Sequence, residues 1–136
     1  MDSYLFVYGT LKSICNNETA ELLRRTSKLI DEATWNGKLY IIDYYPVAVT
    51  SNNVNDIVHG EVYLIKDFIL PIFDEYEECS EKFKKPTLFN RIKTKVYLKN
   101  DGSLIEAEMY IYNLKVDNFT RINSGIFIPS AVKYYY

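Results

Sequence analysis

The chain predicts an α+β domain in which antiparallel pairing dominates and the strands curl into a small sheet or barrel. Three observations carry that expectation. Runs of aromatic and β-branched residues recur from Tyr4 to Tyr112, separated by glycine, proline and Asn-Asp-Gly breaks. Only two stretches, 18–29 and 68–77, place apolar residues at helical spacing. The order is therefore strand, helix, several strands, helix and hairpin, with helices inserted into a mostly antiparallel arrangement.

Tyr4-Leu5-Phe6-Val7 reads as the first strand and breaks at once into Tyr8-Gly9-Thr10-Leu11-Lys12. A strand that ends in a glycine turn leaves backbone N–H groups without ladder partners, and such groups can cradle a small anionic or carbonyl ligand. Glu18 to Leu29, with Ala20, Leu22 and Leu23 among polar residues, predicts an amphipathic helix capped by Asn16 or Asn17. Ala33 to Ile42 alternates around a glycine and reads as a strand with a bulge. Asp43-Tyr44-Tyr45-Pro46 is a turn, Val47 to Val49 a short extended piece, and Ser51 to Asp56 a polar loop.

Val58 to Ile65 is a strand. Phe68 to Glu77 is a helix with Asp67 as its cap and Pro71 in the first turn, where proline is tolerated. Cys79 to Thr87 is a polar, Lys-rich loop. Phe89 to Leu98 and Ile105 to Tyr112 form a hairpin about Asn100-Asp101-Gly102. From Val116 onward the pattern is less regular and ends in Tyr134-Tyr135-Tyr136.

A length of 136 residues suits one domain, 1–136, able to bury a core without staples. Nearly half the residues are hydrophobic, which argues against disorder. A net charge of −2 gives no support for a nucleic-acid or anionic-membrane partner. Lys82, Lys84 and Lys85 lack the interleaved aromatics that a single-strand binder would show. Cys15 and Cys79 have no CxxC spacing and read as reduced thiols of a cytoplasmic protein. One histidine and two scattered cysteines make neither a zinc site nor a Cys–His pair, so no metal or cofactor is expected. There is no basic, apolar leader and no apolar run near the roughly 20 residues that span a bilayer. The expectation is a soluble monomer or weak dimer.

Asp74-Glu75-Tyr76-Glu77-Glu78 is the dense acidic segment. At about 100° per residue, Ile69, Leu70, Ile72, Phe73 and Tyr76 share one apolar sector. Glu77 lies one turn after Phe73 and borders that sector, while Asp74 and Glu78 point further away. Glu77 is thus the acid expected to be partly buried, and burial raises a carboxyl pKa toward the range of a useful base. His59 reads as a strand histidine satisfied by a neighbour. Arg91 reads as an ion-pair partner within the sheet.

In this order the segments resemble the gamma-glutamylcyclotransferase-like proteins. Tyr8-Gly9-Thr10-Leu11 after a strand is similar to the substrate loop of that family. Tyr45-Pro46, Val58-His59-Gly60-Glu61-Val62-Tyr63, Phe73-Asp74-Glu75-Tyr76-Glu77, Arg91, Ala107-x-x-Tyr110-x-Tyr112 and Ile122-x-Ser124-Gly125 follow in sequence. The resemblance spans Leu5 to Gly125 and implies a small mixed β-barrel flanked by helices. It implies release of 5-oxoproline from a gamma-glutamyl amine or related compound, without a cofactor. Tyr8, Gly9, Thr10 and Leu11 would hold the glutamyl group, largely by backbone N–H groups, with Tyr45 and Tyr110 beside it. Glu77 would be the general acid/base. Three positions depart from the family pattern: Glu78 stands where many members have Gly, Phe89 where an aromatic hydroxyl is common, and Ile126-Phe127 in place of Asp-Trp. Two other readings stay open: a non-catalytic binding module on the same fold, and an interaction protein using Tyr134-Tyr135-Tyr136 as a partner patch.

Overall fold

The computed structural model describes residues 1–77 and 88–130. The expected Lys-rich loop, Cys79, Glu78 and the Tyr134–Tyr136 tail lie outside the described residues.

Five strands close into a barrel. β1 (Asp2–Val7) pairs antiparallel with β4 (Ile57–Lys66), and β4 pairs antiparallel with β2 (Lys28–Ile42). On its other edge β1 runs parallel to β6 (Leu104–Tyr112), through Leu5 and Glu108. β6 forms the expected hairpin with β5 (Phe89–Leu98), and Gly102 supplies the positive φ of 69° that its turn needs. The ring closes where Ala33 and Thr34 of β2 pair with Leu98 and Tyr97 of β5. The result is the mixed, mostly antiparallel barrel with helices that the sequence predicts, and closure removes the exposed sheet edges.

β2 is long enough to serve two sheets. Its first part lies in the barrel, and Gly37 to Ile42 pairs instead with β3 (Tyr45–Thr50). The short β7 (Thr120–Arg121) joins the same segment at Tyr40 and Ile41. The irregularity in β2 is not at its glycine but between Leu29 and Asp31, in register with β4. Gly37 has another purpose: a Cβ there would sit 2.1 Å from the Trp35 ring and 2.6 Å from the Val49 carbonyl oxygen. The indole lies over the glycine, so only a hydrogen fits. The β2–β3 turn is Asp43-Tyr44, with Asp43 at φ 51°, and Tyr45-Pro46 already belongs to β3. Pro46 can sit there because β3 ends the strand order.

Both helices are shorter than their apolar spacing predicts. α1 (Glu18–Thr26) is capped by Asn17, whose side chain accepts from the Ala20 N–H at 2.8 Å. Glu18 and Glu21 in its first turn and Arg24 and Arg25 in its last complement the helix dipole. The helix stops at Ser27 because Lys28 and Leu29 pair with Leu64 and Tyr63 of β4. Ladder hydrogen bonds outweigh a helical spacing that no glycine terminates.

A 3₁₀ turn, Asp67–Ile69, leads into α2 (Leu70–Tyr76), with Pro71 in the first turn as expected. Asp67 is not the cap. Its carboxylate accepts from the Ser3 hydroxyl and its N–H donates to the Met1 carbonyl, tying the helix entry to β1.

Alternation along β1 divides the core. Phe6 and Tyr8 join Ala33, Trp35, Val62, Val96 and Met109 in one buried cluster. Leu5 and Val7 face the other way, onto Leu23 of α1 and Leu70 and Phe73 of α2. α2 thus packs on the Leu5 and Val7 side of β1, while α1 reaches both clusters, Leu23 on that side and Ala20 with Phe6 and Tyr8. No helix of the described residues is long and apolar enough to cross a membrane.

Candidate active site

The turn after β1 is held from behind. The Lys12 N–H donates to the Gly9 carbonyl at 3.0 Å and the Cys15 N–H to the Lys12 carbonyl at 2.9 Å. Asn17 Nδ2 donates to the Thr10 carbonyl at 2.7 Å, so the cap of α1 also fixes the turn. Glu61 of β4 accepts from the Ser13 N–H at 2.7 Å and from its hydroxyl at 2.6 Å. Arg24 of α1 donates to the Ser13 and Cys15 carbonyls. Lys12 reaches away to the Phe127 carbonyl at 2.6 Å, and burial lowers its ammonium pKa while the Glu61 charge opposes that. The Cys15 thiol is buried, donates to the Gly9 carbonyl, and is pushed up by burial. Carbonyls of the turn are therefore engaged by its supports. Among the described residues, nothing accepts from the Thr10 and Leu11 N–H groups.

Gly9 does not need a positive φ. A Cβ at Gly9 would lie 2.5 Å from Pro46 Cγ. Glycine lets β3 close over the turn, rather than merely leaving room for a ligand.

In front of the turn is a cavity of about 210 Å³. It brings together all seven residues singled out in the sequence: Tyr8, Gly9, Thr10, Leu11, Tyr45, Glu77 and Tyr110. Glu77 follows α2 immediately, with its N–H on the Phe73 carbonyl at 2.9 Å, and is partly buried. Tyr8 contributes a wall rather than a free hydroxyl, since that group donates to the Tyr110 carbonyl at 2.7 Å. Burial first, and then the Glu77 charge, raise the Tyr8 pKa well above its ordinary value, so the phenol stays protonated. Tyr76 shares a 2.9 Å hydrogen bond with the Thr10 hydroxyl. Its pKa is raised by burial, with the Thr10 bond opposing and Glu77 adding.

Sequence reasoning missed Tyr44 and Tyr76 as lining residues. Tyr76 was assigned to the apolar sector, and adjacency to Glu77 was its only signal. Tyr44, 73% exposed, is placed by the positive φ of Asp43, which no residue pattern announced. Phe89 forms part of the wall and packs edge-on against Tyr112 at 5.6 Å, supplying a ring without a hydroxyl. Ile126-Phe127 is not in the wall; Phe127 is core, in the same buried cluster as Phe6 and Tyr8, and its carbonyl accepts from Lys12.

Two expectations need correction. Asp74, expected to point further from the apolar sector than Glu77, is not left in open water: its side chain is 16% exposed and accepts from Tyr110 Oη at 2.7 Å and from Arg91 Nε at 2.9 Å. The helix lies across β5 and β6, so its flank meets strands rather than water. His59 is exposed and outside the cavity, its backbone N–H held by the Gly125 carbonyl. Arg91 is the expected ion-pair partner, bridging Asp74 and, at 3.5 Å, Glu108. Among the described residues, no group of three or more His, Cys, Asp or Glu is placed to hold a metal.

A carboxyl group, a polar turn with unengaged N–H groups and an aromatic wall thus share one small cavity. The arrangement suits a ligand with an ammonium and a carbonyl or carboxylate at one end.

Several known proteins are similar to this chain. YkqA of Bacillus subtilis is 27% identical over 126 residues, covering 92% of this chain and 41% of YkqA. Its crystal structure superposes with a TM-score of 0.72 over 98% of this chain and 42% of that one. Gamma-glutamylaminecyclotransferase A of Danio rerio is 27% identical over 112 residues, 78% of this chain and 66% of that protein. An AIG2-like protein of Mus musculus shares the fold at a TM-score of 0.77 and 18% identity, over 93% and 88% of the two chains. The chain thus spans less than two thirds of the length of the curated relatives it matches. The model of one family, described as gamma-glutamyl cyclotransferase, AIG2-like, matches residues 5–128, nearly the whole of the barrel and its helices, and the chain belongs to that family.

Proposed function

We propose that this protein is a gamma-glutamyl cyclotransferase that releases 5-oxoproline and a free amine from a gamma-glutamyl amine or related compound. The observation that carries the reading is the meeting of Glu77 and the Tyr8–Leu11 turn in one cavity, in a chain of this family.

The substrate brings its own nucleophile, so the site needs no serine or cysteine. Glu77 takes a proton from the substrate's α-ammonium. The freed amine attacks the γ-carbonyl carbon and closes a five-membered ring. The new C–N bond forms within the glutamyl group and the old C–N bond to the leaving amine breaks. Two protons leave the α-nitrogen and two reach the departing nitrogen, so one carboxyl that shuttles them is enough and no water is consumed. The Thr10 and Leu11 N–H groups are available to the developing oxyanion or the substrate carboxylate. Holding the tethered amine against the carbonyl can supply an effective molarity of about 10⁵ M or more. The buried, protonated Tyr8 and the rings of Tyr45, Tyr110 and Phe89 would confine the extended chain so that it folds onto itself.

The test is direct. The protein is incubated with a panel of gamma-glutamyl amines and dipeptides, and 5-oxoproline and free amine are followed together in equal amounts. Conversion of at least one member is expected. A compound that binds and is not converted would support the binding module, and a panel that neither binds nor reacts would overturn both.

A further inference from the structure

Glu77 stands at the end of a helix only seven residues long. Leu70 and Phe73 are its buried side chains, while Ile72 is 48% exposed. Two apolar anchors on one face set how deep such a helix lies, and polar ties must set its rotation and reach. Tyr76 supplies one, at the helix tip, to the Thr10 hydroxyl, and Asp74 supplies those along the flank. One carboxylate oxygen accepts from both Tyr110 Oη and Arg91 Nε. Arg91 and Tyr110 face each other across the β5–β6 ladder, and Glu108 holds the guanidinium from its far side. All three ion-pair members are largely shielded, where charge-assisted hydrogen bonds are strongest.

The chain of contacts continues to the other half of the site. The Tyr110 carbonyl accepts from the hydroxyl of Tyr8, the residue that opens the turn. Asp74, Tyr110 and Tyr8 therefore link the helix that carries Glu77 to the turn by consecutive 2.7 Å hydrogen bonds.

We propose that Asp74 is a positioning residue: through Tyr110 and Arg91 it fixes the distance between Glu77 and the Tyr8–Leu11 turn. The inference rests on Glu77 being the acid/base. Asp74 touches neither substrate nor reacting atoms; it decides where the carboxyl of Glu77 stands.

The experiment compares Asp74→Ala, Asp74→Asn and Glu77→Gln with the parent protein, by steady-state kinetics per folded molecule and by amide hydrogen exchange. Asp74→Ala should lower kcat about 10- to 100-fold, the scale of a misplacement near 1 Å, with KM within about twofold. Asp74→Asn keeps an acceptor for Tyr110 and loses the charge facing Arg91, so its kcat should fall between the two; it also answers if Asp74→Ala fails to fold. The Glu77 N–H should exchange faster in both variants while barrel amides of β1 and β4 stay protected. A lowered Tm with normal kcat per folded molecule would overturn the proposal, as would unchanged protection at Phe73 to Glu77. A fully active Glu77→Gln protein would instead remove the acid/base reading, and the exchange result would still judge the clamp.

Discussion

At the scale of single residues, the proposed mechanism depends on two opposite properties: a group that must ionise and a residue that must lack a side chain. Glu77→Gln keeps the size and most hydrogen bonds of the side chain but cannot carry a proton. Turnover should fall by about 100-fold or more, the scale of general acid/base catalysis, while Tm stays near that of the parent. Steady-state release of 5-oxoproline and thermal unfolding of the same preparation check both halves of that statement. Gly9→Val addresses the other property. Its Cβ would overlap Pro46, so β3 or the turn must move, and overpacking of this kind costs about 1–3 kcal/mol. The variant should both unfold earlier and bind substrate more weakly, read as a lower Tm and a higher KM. Normal affinity would show that the turn is only structural. Of the residues that line the cavity, the Tyr8–Leu11 turn and Glu77 were legible from pattern and chemistry, whereas Tyr45 and Tyr110 were reached only through the family resemblance. Asp74 was misread because its direction was judged from the helix alone, and the strands that receive it are brought there only by the closed barrel.

At the scale of elements, the sequence places six strands but misses β7 and the first five residues of β2, and it misjudges where helices end. Leu29 fits the apolar stripe of α1, yet it pairs with Tyr63, because a backbone group in a ladder outweighs one more residue of helix. Likewise the glycine of β2 looked like a bulge, while its role is to seat the Trp35 ring. The start of α1 was clearer, since capping is local chemistry, and Asn17 does two things there. Its Oδ1 caps the helix and its Nδ2 holds the Thr10 carbonyl. The two can be separated. Asn17→Asp keeps the cap acceptor, puts a negative charge at the helix N-terminus and deletes the donor. It should leave Tm near that of the parent and raise KM. Asn17→Ala loses both contacts and should cost about 1 kcal/mol of stability as well. Equal KM values for Asn17→Asp and the parent, measured beside their melting curves, would show that the tie to Thr10 does not matter to binding.

At the scale of the whole molecule, the barrel buries tyrosines whose hydroxyls respond to alkali together with the fold. Tyr63 is 1% exposed and its hydroxyl has no hydrogen-bond partner among the described residues. Burial, and next the Glu61 charge, push its pKa from 10.0 up to about 12. The sign follows from proton counts. Above pH 10 the unfolded chain releases this proton while the folded protein keeps it, so the unfolded state binds fewer protons and stability falls as pH rises. The contribution is whole below pH 10 and is lost between about 10 and 12. Tyr8, raised in the same direction by burial and by Glu77, adds to the loss. Tyr63→Phe removes one of these groups without removing a hydrogen bond, and an unpartnered buried hydroxyl costs free energy. The variant should therefore match or exceed the parent in Tm at pH 7. Its stability should also fall less steeply between pH 10 and 12, as urea unfolding at several pH values would show. A steeper fall, or a large loss of stability at pH 7, would mean that the hydroxyl is paired in the folded protein and that the barrel wall around β4 holds a polar partner for it.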